Sequence, residues 1–164
     1  MGAQLPGVPA MTVCRTGFLC CTVAFTTALA GCSAAQPEVI NSTWQITNVY
    51  TNPETPSGLP DSVAGTATMV FGDSTVAGFT GCAPFQGRVS FTKDGAAVKP
   101  SEANHVEFHD MEIHEADCTG KERFFHDALA DMLHGGFSMS RDGEDLILTT
   151  DGEDVDRPGI RLVD

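Results

Sequence analysis

The sequence predicts an α+β fold that is predominantly antiparallel β, a curled or barrel-like sheet carrying one inserted helix. Three observations predict it. Short segments of alternating apolar and polar residues recur along the chain, hairpin turn chemistry separates them, and a single late stretch repeats its apolar residues at helical spacing. A sheet with one apolar face must bury it, and curling around a core with a helix over one opening or face does so. The 164 residues are enough for one domain with one core.

The first segment reads as an export signal. Gly17 to Leu29 is uncharged and mostly apolar, with Arg15 just ahead of it. A bilayer span needs about 20 apolar residues, and this stretch is shorter and ends in small residues. Leu29-Ala30-Gly31-Cys32 resembles the lipobox of bacterial lipoproteins, in which the cysteine becomes the first mature residue and takes the lipid. Residues 1–31 are therefore expected to be a lipoprotein signal peptide, with Met11 as an alternative start. Cys32 is the expected lipidation site, carrying acyl chains of the palmitate kind. Two or three chains at about 0.8 kcal/mol per buried CH₂ hold a protein on a membrane, where one chain is marginal. The expected location is the extracytoplasmic face of a bacterial cell membrane.

Residues 32–41, small and polar with one proline, read as a lipidated tether, and 42–164 as the folded domain. Thr43 to Tyr50 alternates with Trp44 and Ile46 on one side, as a half-buried strand does. After a Pro-containing loop, Thr66 to Phe71 and Thr75 to Thr80 flank Gly72-Asp73-Ser74 as a hairpin. Phe85 to Phe91 continues through a turn at Lys93-Asp94-Gly95 into Ala96 to Val98. His105 to Ile113 is a further strand whose apolar phase changes near Asp110, which predicts a bulge there.

The helix opens at Thr119-Gly120-Lys121-Glu122, a capping-box pattern. Phe124, Phe125, Ala128, Leu129, Met132 and Leu133 form its apolar face, and Gly135-Gly136 supplies the stop. Phe137 to Ser140 and Asp145 to Thr150 flank a turn at Arg141 to Glu144, and Ile160 to Val163 is the last strand.

Charge and cysteine content bound the function. The chain carries 9 Lys plus Arg against 22 Asp plus Glu, net -13, which excludes a nucleic-acid binder that works by neutralising phosphates. Cys14, Cys20 and Cys21 leave with the signal and Cys32 is acylated, so Cys82 and Cys118 remain to pair in an oxidising compartment. A redox-active pair or two metal ligands are the competing readings, but there is no Cys-x-x-Cys spacing and neither cysteine has a close His.

Ordered along the chain, these residues resemble the META domain (HslJ-like) family. The resemblance rests on Trp44-x-Ile46, then Gly78-Phe79-Thr80-Gly81-Cys82, Phe85-Gln86-Gly87-Arg88-Val89, Cys118 ahead of Glu122-x-x-Phe125 and Leu129, and finally Leu146-Ile147-Leu148. It spans residues 42–163. Family members usually carry Asn after the first cysteine, whereas Ala83 and Pro84 follow here, and Lys99 to Glu115 is more acidic and His-rich than is typical. The resemblance implies a compact β-rich fold with a helix, often in envelope lipoproteins, and no established catalytic activity.

Other candidate chemistry lies in His105, Glu107 and His109. Strand alternation puts the three on one face about 7 Å apart, with His114 and Glu115 close in sequence. They could bind Zn²⁺ or Cu²⁺ if loops brought them together, and form a solvated strand face if not. The acidic run Asp151 to Asp156 lacks the ligand pattern of an EF-hand. Phe124 and Phe125 could line a lipid pocket, but aromatic residues on an amphipathic helix are more often core. Neither Gly-x-Ser-x-Gly nor a Walker loop occurs, so no enzyme is expected. The expectation is a monomer, held to the membrane through its lipid, that binds an envelope protein or component without catalysis and without a resident cofactor. An apolar or metal ligand is the alternative.

Overall fold

The computed structural model describes residues 38–54 and 58–164; the expected signal segment, Cys32 and the tether as far as residue 37 lie outside the described residues. The elements are β1 (Thr43–Tyr50), β2 (Thr68–Phe71), β3 (Thr75–Phe79), β4 (Pro84–Lys93), β5 (Ala96–Ala97), a 3₁₀ turn (Pro100–Glu102), β6 (His105–Ile113), α1 (Gly120–Met132), β7 (Gly135–Asp142), β8 (Asp145–Thr150) and β9 (Gly159–Val163). Strand order is β3-β2-β1-β9-β8-β7-β6-β4-β5, and β3 also pairs with β4. That last pairing closes eight strands into an antiparallel barrel and leaves β5 as a short hairpin arm of β4.

Two bulges let the strands curl. In β1, Ile46 pairs with Leu162 and Asn48 with Arg161, so Thr47 is the extra residue and the inward position moves from Trp44 and Ile46 to Val49. In β6 the irregularity falls opposite Gly87, where Asp110 takes a left-handed φ of 48°. This is the position at which the apolar phase of the sequence changes. Beyond it, Met111 and Ile113 pack against the core. Gly78 is required where β2, β3 and β4 crowd together, because a Cβ there would collide with the Thr68 carbonyl and the Phe85 ring.

The inward side chains fill the barrel. Trp44, Phe71, Phe137, Ile46, Met69, Leu146, Leu148, Ile160 and Leu162 are all under 2% exposed. Phe108 meets Phe137 edge-on at 5.5 Å between centroids, and Phe71 meets Phe91 edge-on at 6.0 Å. The helix connects the end of β6 to the start of β7, so it lies across one opening of the barrel, and Phe125, Leu129, Met132 and Leu133 join the same core.

Four local expectations need correction. Thr119 makes no side-chain capping bond, because Gly120 enters the helix at φ 67° and breaks the regular capping geometry. Phe124 is 56% exposed, so the apolar face is narrower than the sequence suggests and His126, not Phe124, completes it. Gly135 and Gly136 do not follow the helix as a tail; they open β7, Gly135 with φ 108°. Order begins before Ser42: Val39 is 5% exposed and Ile40 pairs with Phe71.

Candidate functional site

At the helix end the two buried polar side chains, Thr80 and His126, bond each other. Cys82, in the β3–β4 connection, and Cys118, just before α1, are joined by a disulfide with Cα atoms 5.8 Å apart. Beside it, Thr80 is fully buried. Its Oγ1 accepts hydrogen bonds from the backbone N–H of Cys82 (3.2 Å) and Ala83 (3.0 Å) and lies 2.8 Å from His126 Nδ1. The same hydroxyl lies 3.1 Å from the Ala83 carbonyl, to which it donates, so Thr80 ties the β3–β4 connection to the helix through His126 Nδ1. Burial pushes the His126 pKa below its ordinary 6.5; Asp127 opposes that shift and Arg123 adds to it. Glu122, expected to cap the helix, instead accepts from Ser62 Oγ, and that bond holds its carboxyl below the usual carboxylate range.

The histidine-bearing strand separates its candidate ligands. His105, Glu107 and His109 do share the outer face of β6, as alternation requires. Their ring nitrogens are engaged elsewhere. His105 Nε2 lies 2.8 Å from Asp151 Oδ2, across β7 in the β8–β9 loop, and its Nδ1 lies 3.4 Å from Thr92 Oγ1. His109 Nε2 bonds Ser90 Oγ at 3.0 Å and is 3.9 Å from Glu107. His114 is exposed beyond the strand end. Among the described residues no three His, Cys, Asp or Glu side chains gather as a metal site. In this arrangement His105, Glu107, His109 and His114 are not brought within a common ligand distance, and the two strand histidines form a hydrogen-bonded strand face. The Asp151–Asp156 loop is braced by Arg157, whose Nη1 donates to the carbonyls of Thr150 (3.3 Å) and Gly152 (3.4 Å).

The opposite mouth of the barrel carries the residue that sequence reasoning missed. Phe137, Met139 and Arg141 alternate along β7 with Ser138 and Ser140, so the period that sends Phe137 into the core also turns Arg141 inward at the strand's far end. That alternation was the available signal, hidden because Arg141 was read as part of a turn. The guanidinium carbon stands 5.1 Å from the centroid of the Trp44 ring, within cation–π range. Nη1 is buried and has no hydrogen-bond partner among the described residues. Leaving a buried donor unsatisfied costs about 1–3 kcal/mol, and more when it is charged.

Around it lies a cavity of about 320 Å³ lined by Val39, Pro100, Ala103, Met139 and Leu146, with Glu38 and Ser101 at the polar positions. Trp44 Nε1 donates to the Val39 carbonyl at 2.9 Å and so holds one wall in place. Desolvation pulls the Arg141 pKa below its ordinary value while the Asp164 carboxylate opposes that. Asp164 itself accepts from Ser42 Oγ at 2.9 Å. The arrangement is a partly desolvated cation at the edge of a largely apolar recess, which suits recognition of an anion rather than bond-making chemistry.

Comparison with known proteins agrees with this architecture. A solved structure, the NMR structure of a protein from Burkholderia xenovorans, superposes with a TM-score of 0.53 at 15% identity, covering 76% of this chain and 82% of that one. At that identity the likeness speaks for the fold alone. No curated protein sequence matches significantly. The family model of the META domain matches residues 37–158, which includes both barrel ends, the disulfide and the helix. The chain therefore belongs to the META domain family.

Proposed function

We propose that the protein is a lipid-anchored domain of the bacterial cell envelope that binds an envelope protein or component and performs no catalysis. The family is a stress-related one without known enzymatic activity, which supports a binding role. The observation that carries the envelope reading is the Cys82–Cys118 bond. These are the two cysteines left downstream of Leu29-Ala30-Gly31-Cys32, and stable disulfides belong to oxidising compartments. The filled barrel interior supports a scaffold rather than a carrier with a central ligand chamber. Without residues 1–31 the chain carries a net charge of -14, because Arg15 leaves with them, so its surface favours basic partners and does not adhere to anionic lipid by itself.

The test is fractionation of cells producing the full chain or Cys32→Ser. The proposal expects the full chain to be acylated and retained with membranes, its Cys82 and Cys118 joined on non-reducing mass mapping, and the variant to be unprocessed or released. Recovery of the full chain from cytosol, unacylated and with both thiols free, would overturn the reading.

A further inference from the structure

We infer that the barrel mouth opposite the helix is a binding site for a monoanionic carboxylate on a short apolar chain, with Arg141 as the anion-recognising residue. This deepens the reading of the domain as a binding module but does not depend on acylation of Cys32. Three features of the mouth point to the same ligand. Arg141 lines the recess with a planar fork of donors, and its buried Nη1 has no hydrogen-bond partner among the described residues, so an entering oxyanion meets the fork's other donors first. An oxyanion arriving there gains charge-assisted bonds without displacing an existing partner. The Asp164 carboxylate acts on the cation through space, opposing the desolvation of Arg141, and makes its hydrogen bond with Ser42.

The second feature is shape and polarity. The recess has about 320 Å³, and Val39, Met139 and Leu146 give it apolar walls suited to a short hydrocarbon stem. The third is charge. Glu38 sits in the same lining and the whole chain carries -13, so a dianion is repelled where a single negative charge is matched by the one guanidinium. A phosphate monoester, with nearly two charges at neutral pH, fits less well than a carboxylate.

Trp44 reports on the site directly. It is the chain's only tryptophan, and the guanidinium lies over its ring. Titrating the purified full chain with hexanoate should change its tryptophan fluorescence saturably, while hexanol at the same concentrations should not. Arg141→Met should weaken hexanoate binding at least tenfold, and Arg141→Lys, which keeps the charge but loses the fork, should fall between the two. Near-UV circular dichroism of each variant shows that the barrel around Trp44 is intact. Equal hexanoate binding by wild type and Arg141→Met, or no saturable response in wild type, would overturn the proposal. Tighter binding of hexyl phosphate than of hexanoate would overturn the ligand class. A failure of membrane retention in the fractionation experiment would leave these titrations unaffected, so the two readings fail separately.

Discussion

The two ends of the barrel are built from the same strands and treat polar groups in opposite ways. At the helix end, Thr80, His126, Ser62 and Glu122 bond one another or the backbone, and a disulfide ties the β3–β4 connection to the start of α1. At the other end a guanidinium is sunk against Trp44 with a buried nitrogen unpaired, next to an empty-walled recess. A fold tolerates an unsatisfied buried donor only where stability from elsewhere offsets it, and such sites are where binding is to be sought. The helix end supplies that stability, and at the mouth the Arg141 Nη1 donor is left out of the fold's hydrogen bonding.

Perturbing the helix end should therefore be costly, in a graded order. Removing the disulfide by Cys82→Ser with Cys118→Ser frees a loop with 36 residues of separation, worth about 3–4 kcal/mol on the chain-entropy model, measurable as a lower denaturant midpoint. Thr80→Val strips the acceptor from the Cys82 and Ala83 amides and the hydroxyl partner from His126 Nδ1, and should lose about 1–3 kcal/mol or more by the same measurement.

Acid should act at this end too. His126 is held neutral when folded, with a pKa below the 6.5 it has when free, so the unfolded state binds the extra proton between those two values. Stability is complete above about pH 6.5 and falls as the pH drops through that window. His126→Asn, which keeps a side chain able to hydrogen-bond Thr80 Oγ1 but does not titrate, should flatten that part of the stability profile against pH. Phe124 marks the limit of the packed face: at 56% exposure, Phe124→Ser should change stability by no more than about 0.5 kcal/mol. A larger loss would mean that the helix buries a broader stripe than its contacts with the core suggest.

What the sequence disclosed followed the physics of local patterns. Period-2 alternation located most strands, the phase change near Asp110 marked a real bulge, and Cys82 and Cys118 pair with each other. Local pattern does not name a strand's partner, so closure through β1 with β9 and β3 with β4 was legible only as a tendency to curl. His126 escaped notice because a histidine inside an apolar stripe looks like an interruption until Thr80 is brought to it from 46 residues away. Arg141 escaped because its strand runs to Asp142, past the point where Asp142-Gly143 suggested the turn. Alternation placed His105, Glu107 and His109 on one face, and what local pattern does not show is the set of partners that neighbouring elements supply to each histidine.

The contrast between the two ends is tested most directly by thermal unfolding of Arg141→Met beside Thr80→Val in the unliganded protein. The account predicts shifts of opposite sign. Replacing the unpaired guanidinium with an apolar side chain of similar length should raise the melting temperature by a few degrees, while Thr80→Val should lower it. Destabilisation by both substitutions would contradict it, because Arg141 would then be part of what holds the barrel together rather than a group held in reserve for a ligand.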